Sequence, residues 1–376
     1  WKPLSEKALG IMTRDEYLAF AAGRITEAIA EAWRTRAPGG ISFGLGQAVV
    51  GHNRRVSYFT GETRMYGKTD DPEFSHIEGS TDHSVNLLCT WNRKRKLTGM
   101  IVNVACPSQV SENLWQISAD YWHDTRVELR RRFGQRLFVL PQCSAAGDQS
   151  PHVQVGRPAE ERMLRLAGRT QRQDIAVRIA DAVSAVLPFV KKDIDWSPAF
   201  AHRRETLALP MRLLRKQDVA DALAEAERSR RQYETLKKDL EEHPEKMKAP
   251  RWYRDITAAY ARMLWNLGVE RRFKSQKAHP TQPVEIHVLR LGSVAFASNP
   301  FEYYLDFGMQ IKARSQAVQT FIVQLAGGGV ASYLPTERAT AGKSYGAIPA
   351  STPVGPDGGR MFARRTVEII AKLMER

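Results

Sequence analysis

FVLPQCSAAGDQSPH, residues 138–152, runs from an apolar stretch into a polar turn. An apolar run of strand length followed by Gly, Asp, Ser and Pro predicts a switch from strand to loop. The hydroxyl of Ser150 lies between an acid and a proline, where a tight turn leaves the side chain free to act as a nucleophile. The same residue types also make ordinary turns, so the local pattern alone favours a structural interpretation.

Upstream of this switch, the pattern alternates helices and strands. Thr13 and Asp15-Glu16 predict the start of an amphipathic helix over residues 13–34. Two apolar runs within residues 84–106, separated by the basic segment 92–96, predict a β-hairpin. The remaining expectations are a strand at Ile41–Val50, a polar loop tip at 51–55, a helix at Ser118–Phe133, a strand at Arg136–Leu140 and a helix at Glu160–Leu187.

Downstream, residues 215–247 carry an apolar stripe in a highly charged helix that His243-Pro244 ends. A second amphipathic helix over 252–267 predicts an antiparallel helical hairpin, inserted at residues 215–272 in a single domain that spans 1–376. Strands are expected at Val284–Leu291, Ser293–Ala297 and Phe321–Leu325, and a closing helix at Met361–Leu373. The predicted fold class is α/β (α+β), with a mixed β-sheet core and flanking helices.

Charge and composition limit the classes of protein. Of the 376 residues, 56 are Lys or Arg and 41 are Asp or Glu, which gives a net charge of +15. The basic runs at 130–132 and 228–231 fall on predicted helix faces without a nucleic-acid-binding motif, so they favour solvated faces and no nucleic-acid partner. Three cysteines exclude a disulfide framework, and whether Cys89 and Cys143 pair stays open.

Five short motifs stand in a definite order along the chain. Ordered by position, they are Asn53-Arg54-Arg55, then Asn103-Val104-Ala105-Cys106-Pro107 with Ile117-Ser118-Ala119-Asp120-Tyr121, then Gly147 to His152, Ser298-Asn299-Pro300-Phe301-Glu302, and Tyr333-Leu334-Pro335-Thr336 with Tyr345. Together they resemble the neutral/alkaline (non-lysosomal) ceramidase family over most of the chain. The hexapeptide departs from that family's Gly-Asp-x-Ser-Pro-Asn only in ending with His152.

The resemblance implies a hydrolase of linear amides in which zinc assists a serine. It makes Ser150 the nucleophile, Glu302 and Tyr333 zinc ligands, and Tyr345 and Arg54 the groups that stabilise the oxyanion. Asp148 would orient Ser150 or a water molecule. The implied substrate is a lipid-like N-acyl amide, with contact to a membrane surface, and the implied location is outside the cytoplasm; the oligomeric state is left open.

Two departures from the family pattern lead to a rival hypothesis. Cys106 takes the position of one zinc histidine, and either a thiolate ligand or a buried apolar residue is compatible with that position. The family's other zinc histidine lies before the helix at 13–34, and the chain, which starts at Trp1, has no such motif, so an N-terminal truncation is expected. The alternatives are a hydrolase of a non-ceramide amide or ester, and a ceramidase-like scaffold without catalysis.

Overall fold

The computed structural model describes residues 12–114, 116–327 and 332–375. Its helices are α1 (Arg14–Arg34), α2 (Tyr121–Phe133), α3 (Arg157–Ala167), α4 (Gln171–Val190), α5 (Lys216–Glu242), α6 (Arg254–Ser275), α7 (Leu305–Arg314), α8 (Glu337–Gly342) and α9 (Pro356–Met374). The long strands are β1 (Gly39–Gln47), β6 (Ser84–Asn92), β7 (Leu97–Val104), β8 (Phe138–Cys143), β10 (Phe200–Pro210), β11 (Thr281–Leu291), β12 (Val294–Ser298) and β14 (Gln319–Val323). The short strands are β2 (His52–Asn53), β3 (Arg55–Tyr58), β4 (Thr63–Met65), β5 (Phe74–Ile77), β9 (Gln149–Ser150), β13 (Glu302–Tyr303) and β15 (Tyr333–Leu334).

Two four-stranded mixed sheets form the centre of the fold. The first sheet has the order β1-β6-β7-β8 and the second the order β10-β11-β12-β14. In each sheet the last pair of strands, β7 with β8 or β12 with β14, is parallel, and the other pairs are antiparallel. The α/β fold class with mixed sheets is therefore confirmed.

The two sheets pack on each other and each carries helices on its outer face. Side chains of α2 and α4 cover the first sheet, and those of α7 and α9 cover the second. Leu88, Val294 and Phe321 fill the interface between the sheets. Strand β6 is largely buried on both faces because it lies between a helix layer and the other sheet: Val85 and Leu87 face the helices, and Leu88 faces the second sheet.

Polar side chains also cross between the sheets. Asn103 Nδ2 donates to the carbonyl oxygen of Ile322 over 2.8 Å. Gln319 Nε2 donates to Gly44 O and to Asn86 Oδ1, each over 3.0 Å. Asn103 Nδ2 and Gln319 Nε2 therefore pair with oxygen atoms of the opposite sheet, whereas the buried Nδ2 of Asn86 has no hydrogen-bond partner among the described residues.

Most expected elements are present, with shifted ends. The capping box at Thr13 and Glu16 starts α1 as predicted, although the apolar stripe of this helix is exposed. The expected helix at 160–187 is two helices, because Gly168, with φ +63°, ends α3 and a capping box at Thr170 starts α4. Helices α5 and α6 pack against each other as a helical hairpin.

The expected loop tip at 51–55 is wrong. Asn53, Arg54 and Arg55 lie in or between β2 and β3 and are almost completely buried. Strand β10 and helix α7 were not expected from the sequence pattern. Within the described residues, no helix combines the length and the apolar character that crossing a membrane requires.

Candidate functional site

The Ser150 turn is held between two parts of the fold. Strand β9 pairs antiparallel with β2, so that Ser150 lies opposite His52. On the other side, Gly147 N donates to Tyr303 O over 2.8 Å. A Cβ atom on Gly147 would overlap the backbone carbonyl of Glu302, so this close approach requires glycine. The turn therefore brings the candidate nucleophile next to the segment that carries Glu302.

Ser150 has no solvent-exposed surface in this structure. Its Oγ accepts hydrogen bonds from Tyr66 Oη, at 3.2 Å, and from the backbone N–H of His152, at 3.1 Å. Both partners line an open cavity of about 360 Å³. Ser150 is thus one side chain away from this cavity, and a substrate carbonyl would have to enter between Tyr66 and His152 to reach it.

Arg54 is the hub of the site and is only 2% exposed. Its Nη1 donates to Tyr66 Oη over 3.0 Å and to Gln109 Oε1 over 3.1 Å. Its Nη2 donates to Gly147 O over 2.8 Å and to Tyr333 Oη over 3.4 Å. Burial by itself lowers the pKa of the Arg54 guanidinium, but Tyr333, Tyr66 and Glu302 outweigh it and raise the pKa. The side chain is a fixed positive charge.

Glu302 and Tyr333 lie side by side. They are register partners in the parallel bridge between β13 and β15. Glu302 Oε2 lies 3.7 Å from Arg54 Nη2. Burial raises the pKa of Glu302, and the hydrogen bond with Tyr333 and the charge of Arg54 oppose that rise. The ring of Tyr345 packs edge-on against Tyr333, with centroids 5.2 Å apart, and reaches the surface.

Asp148 does not contact Ser150 through any hydrogen bond among the described residues. Its Oδ2 accepts from Asn53 Nδ2 and its Oδ1 from the backbone N–H of Leu305, each over 2.9 Å. Burial raises the pKa of Asp148, and the bond from Leu305 opposes this. The carboxyl group therefore ties the nucleophile turn to β2 and to the start of α7.

Cys106 is fully buried. Its Sγ faces Val50 O at 3.6 Å and Pro107 O at 3.5 Å. Burial raises the pKa of the Cys106 thiol far above its usual range, and the nearby Cys143 adds to this. All three cysteines are unpaired, so no bridge joins Cys89 to Cys143.

The side chains of the site offer few ligands for the expected zinc ion. In the described part of the chain, no three His, Cys, Asp or Glu side chains are grouped so as to hold a metal ion. Glu302 and Tyr333 supply two oxygen donors, but Arg54 lies beside both, and its charge would repel a dication bound there. The protonated thiol of Cys106 faces carbonyl oxygens instead. These residues do not fit a four-coordinate zinc site by themselves.

The sequence pattern missed three residues of the site. Tyr66 contacts Ser150, Gln109 contacts Arg54, and Arg55 donates to the carbonyl oxygen of Tyr345 over 3.4 Å. Tyr66 follows a three-residue strand and precedes Gly67. So short a segment carries no sequence pattern that predicts a functional residue. Only its position beside Ser150, 84 residues later in the chain, marks it.

Comparison with known proteins gives a likeness in fold. No family model matches the chain, and no curated protein matches it in sequence. Among solved structures, the neutral ceramidase from Pseudomonas aeruginosa matches 96% of this chain and 56% of its own, with 15% identity and a TM-score of 0.61. A structure described as a ceramidase complexed with C2 matches 92% of this chain and 55% of its own, with 13% identity and a TM-score of 0.56. The ceramidase-like fold is supported, and the chain spans little more than half the length of these neighbours.

Proposed function

We propose that the protein is a hydrolase of the neutral ceramidase type, which cleaves an N-acyl amide of a sphingolipid-like substrate through Ser150. The observation that carries the proposal is the continuous polar path from Ser150 through Tyr66 to Arg54 and on to Tyr333 and Glu302. These side chains come from five separate segments. Gly147 permits the close approach of the Ser150 turn to the backbone of Glu302. A hydroxyl nucleophile close to a fixed cation and phenolic groups supplies a nucleophile and oxyanion donors, which acyl transfer uses.

In this proposal Ser150 attacks the amide carbonyl and forms an acyl-enzyme, which water then hydrolyses. Tyr345, whose ring is exposed beside Tyr333, donates to the oxyanion, and Arg54 supplies positive charge behind it. Asp148 keeps the turn in place through Asn53 and Leu305. Zinc stays a prediction of the family resemblance, because the described side chains do not fit it.

The substrate and the location are also proposals. A lipid-like acyl chain would bring the enzyme to a membrane surface, and a net charge of +15 would attract it to anionic headgroups. Export from the cytoplasm stays an expectation of the resemblance. The alternative substrate is an amide or ester other than ceramide, whose cleavage through Ser150 would differ only in the leaving group.

The test uses the full chain with a fluorogenic N-acyl amide, a labelled ceramide and a fluorophosphonate probe that reacts with active serines. We expect hydrolysis and labelling at Ser150, and a loss of about 10³-fold or more in kcat/KM for Ser150→Ala. Ser197→Ala, at an exposed serine before β10, is the matched control and should retain full activity. Metal analysis of the same preparation, before and after chelation, tests zinc separately.

The rival hypothesis is a ceramidase-like scaffold without catalysis. It is favoured by the full burial of Ser150 and by the poor fit of the described donors to zinc. If neither the amide substrates nor the probe reacts with the folded protein, the hydrolase proposal is wrong and the scaffold stands.

A further inference from the structure

Among the described residues, Tyr66 is the only one whose side chain forms a hydrogen bond with Ser150 Oγ. The other partner of Oγ is a backbone N–H group, that of His152, which cannot accept a proton. Tyr66 Oη lies 3.2 Å from Oγ, within the distance at which a proton can pass between them. The phenol of Tyr66 is therefore placed to exchange a proton with the candidate nucleophile.

A fixed positive charge lies beside the phenol of Tyr66. Arg54 Nη1 donates to Tyr66 Oη over 3.0 Å, and the guanidinium carbon lies 5.4 Å from the centre of the Tyr66 ring. The buried Arg54 keeps its positive charge at any pH near neutrality. Tyr66 is also 39% exposed and lines the cavity, so its phenol is in contact with solvent.

The backbone fixes this side chain in place. Tyr66 has φ 55°, in the left-handed region that a tyrosine rarely adopts. Its N–H donates to Arg54 O over 2.7 Å, so the two residues are joined through both the backbone and the side chain. Unusual backbone conformations that the surrounding structure holds are concentrated at functional sites.

We propose that Tyr66 is the general base and acid of Ser150, a role that rests on the proposed hydrolase function. Tyr66 first loses its proton to solvent, and Arg54 balances the phenolate. As Ser150 Oγ bonds to the amide carbon, its proton passes to Tyr66 Oη. When the C–N bond breaks, that proton passes from Tyr66 to the leaving nitrogen.

Deacylation repeats the cycle. Water attacks the acyl carbon and gives one proton to Tyr66, and Ser150 Oγ takes that proton as its ester bond breaks. The products are the acid and the amine, and Tyr66 returns to the phenolate. The step needs no group beyond water, the substrate and the side chains named here.

The test compares Tyr66→Phe with wild type by the rate at which the fluorophosphonate probe labels Ser150, followed across pH. We expect Tyr66→Phe to label about 10²- to 10⁴-fold more slowly, and the rise of the rate with pH to disappear. Tyr58→Phe is the matched control, because its phenol lies on the preceding strand and donates to Lys68 O. That variant should label at the wild-type rate.

Other titratable groups face Tyr66 and must be separated from it. Besides Arg54 these are His152, whose ring lies 6.3 Å from that of Tyr66, and, across the cavity, the side chains of Glu112, Arg157, Glu160 and Glu161. His152→Gln should keep the pH dependence of labelling if Tyr66 causes it. Disappearance of the pH dependence in His152→Gln, with Tyr66→Phe unaffected, would assign the base to His152 and overturn the proposal.

Uniform replacement of tyrosine by fluorotyrosine gives a second measurement that does not depend on how Tyr66→Phe folds. A fluorinated phenol loses its proton more easily, so the pH midpoint of labelling should move to lower pH. An unchanged midpoint, or a Tyr66→Phe protein that labels as fast as wild type or faster, means that Tyr66 only covers Ser150. Absence of labelling in wild type instead overturns the hydrolase function, and the role of Tyr66 with it.

Discussion

Arg55 and Glu78 form an ion pair in which Nε and Oε1 are 2.9 Å apart and both side chains are almost fully buried. The other donors of Arg55 reach three backbone carbonyl oxygens, those of Ala339, Lys343 and Tyr345. The buried guanidinium therefore clamps the segment that presents Tyr345 to the site. Lys343 and its neighbour Ser344 have positive φ values of 60° and 73°, so this segment is in a conformation that needs such support.

Glu78→Gln should destabilise the protein strongly. The change leaves the charge of Arg55 buried without a counterion, which costs about 3–5 kcal/mol in the free energy of unfolding. Urea unfolding at neutral pH measures it. Glu62→Gln is the matched control, since Glu62 pairs with Arg64 at the surface, where an ion pair contributes under about 1 kcal/mol. Equal losses in the two variants would contradict the clamp.

Gly147→Ala should disrupt the site although it adds only one methyl group. The added methyl group overlaps the carbonyl of Glu302, and backbone atoms on both sides cannot move without separating β9 from β13. We expect a loss of about 1–3 kcal/mol in stability and loss of probe labelling at Ser150. Gly23→Ala is the control, because nothing lies near that position in α1, and alanine should be neutral or slightly stabilising there.

Local patterns were sufficient for much of the fold. The hairpin of β6 and β7 is predictable because apolar runs flank a polar turn, and the start of α1 because Thr13 and Glu16 form a capping box. Strand β10 was missed since its first half is exposed on both faces, where the consecutive charged residues Arg203 and Arg204 interrupt any alternation of apolar and polar residues. A local signal was therefore sufficient where a cap or an alternating pattern is complete, and it failed where the exposed half of a strand shows no alternation.

The site was predictable only in part, because its contacts join distant residues. Arg54 and Arg55 look like a solvent loop in sequence, yet their partners Glu302, Tyr333 and Glu78 make burial possible. The motifs identified Ser150, Glu302 and Tyr333 as candidates, and the structure connects them through Arg54. Tyr66 has no local pattern, so only the three-dimensional structure could point to it.

His52 should make the Ser150 turn sensitive to acid. Burial lowers the pKa of His52 to about 4, and the positive charges of Arg178 and His83 add to this. The folded pKa lies below the ordinary value of 6.5, so the contribution to stability is complete above pH 6.5 and is lost as pH falls toward 4. Between pH 7 and pH 5, wild type should lose about 1–2 kcal/mol more than His52→Gln.

Urea unfolding at the two pH values measures this difference. His123→Gln is the matched control, because His123 is exposed on α2, and it should follow the wild-type pH dependence. Identical pH dependence in wild type and His52→Gln would show that His52 does not cause the acid sensitivity.

The helical hairpin of α5 and α6 is expected from the sequence to be an insertion. It joins β10 to β11, and those strands already pair along their full length, with Pro210 opposite Thr281. Gln276 bonds to both the N–H and the carbonyl of Leu214, so the two ends of the hairpin meet. Elsewhere, Trp265 stacks on Tyr345 with ring centroids 6.4 Å apart, and Arg272 Nη2 donates to Pro349 O.

Replacing residues 216–275 with a Gly/Ser linker of about four residues should therefore leave both central sheets folded, because a chain of that length spans the gap between Arg215 and Gln276. Circular dichroism should show less helix and thermal unfolding should stay cooperative. The matched control is Trp265→Ala in the full chain, which removes the contact with Tyr345. The rate of labelling at Ser150 in the shortened protein should change only as much as in this variant. A shortened protein that aggregates or unfolds without a cooperative transition would mean that the hairpin belongs to the folding unit of the two sheets, and that β10 and β11 need it in order to pair.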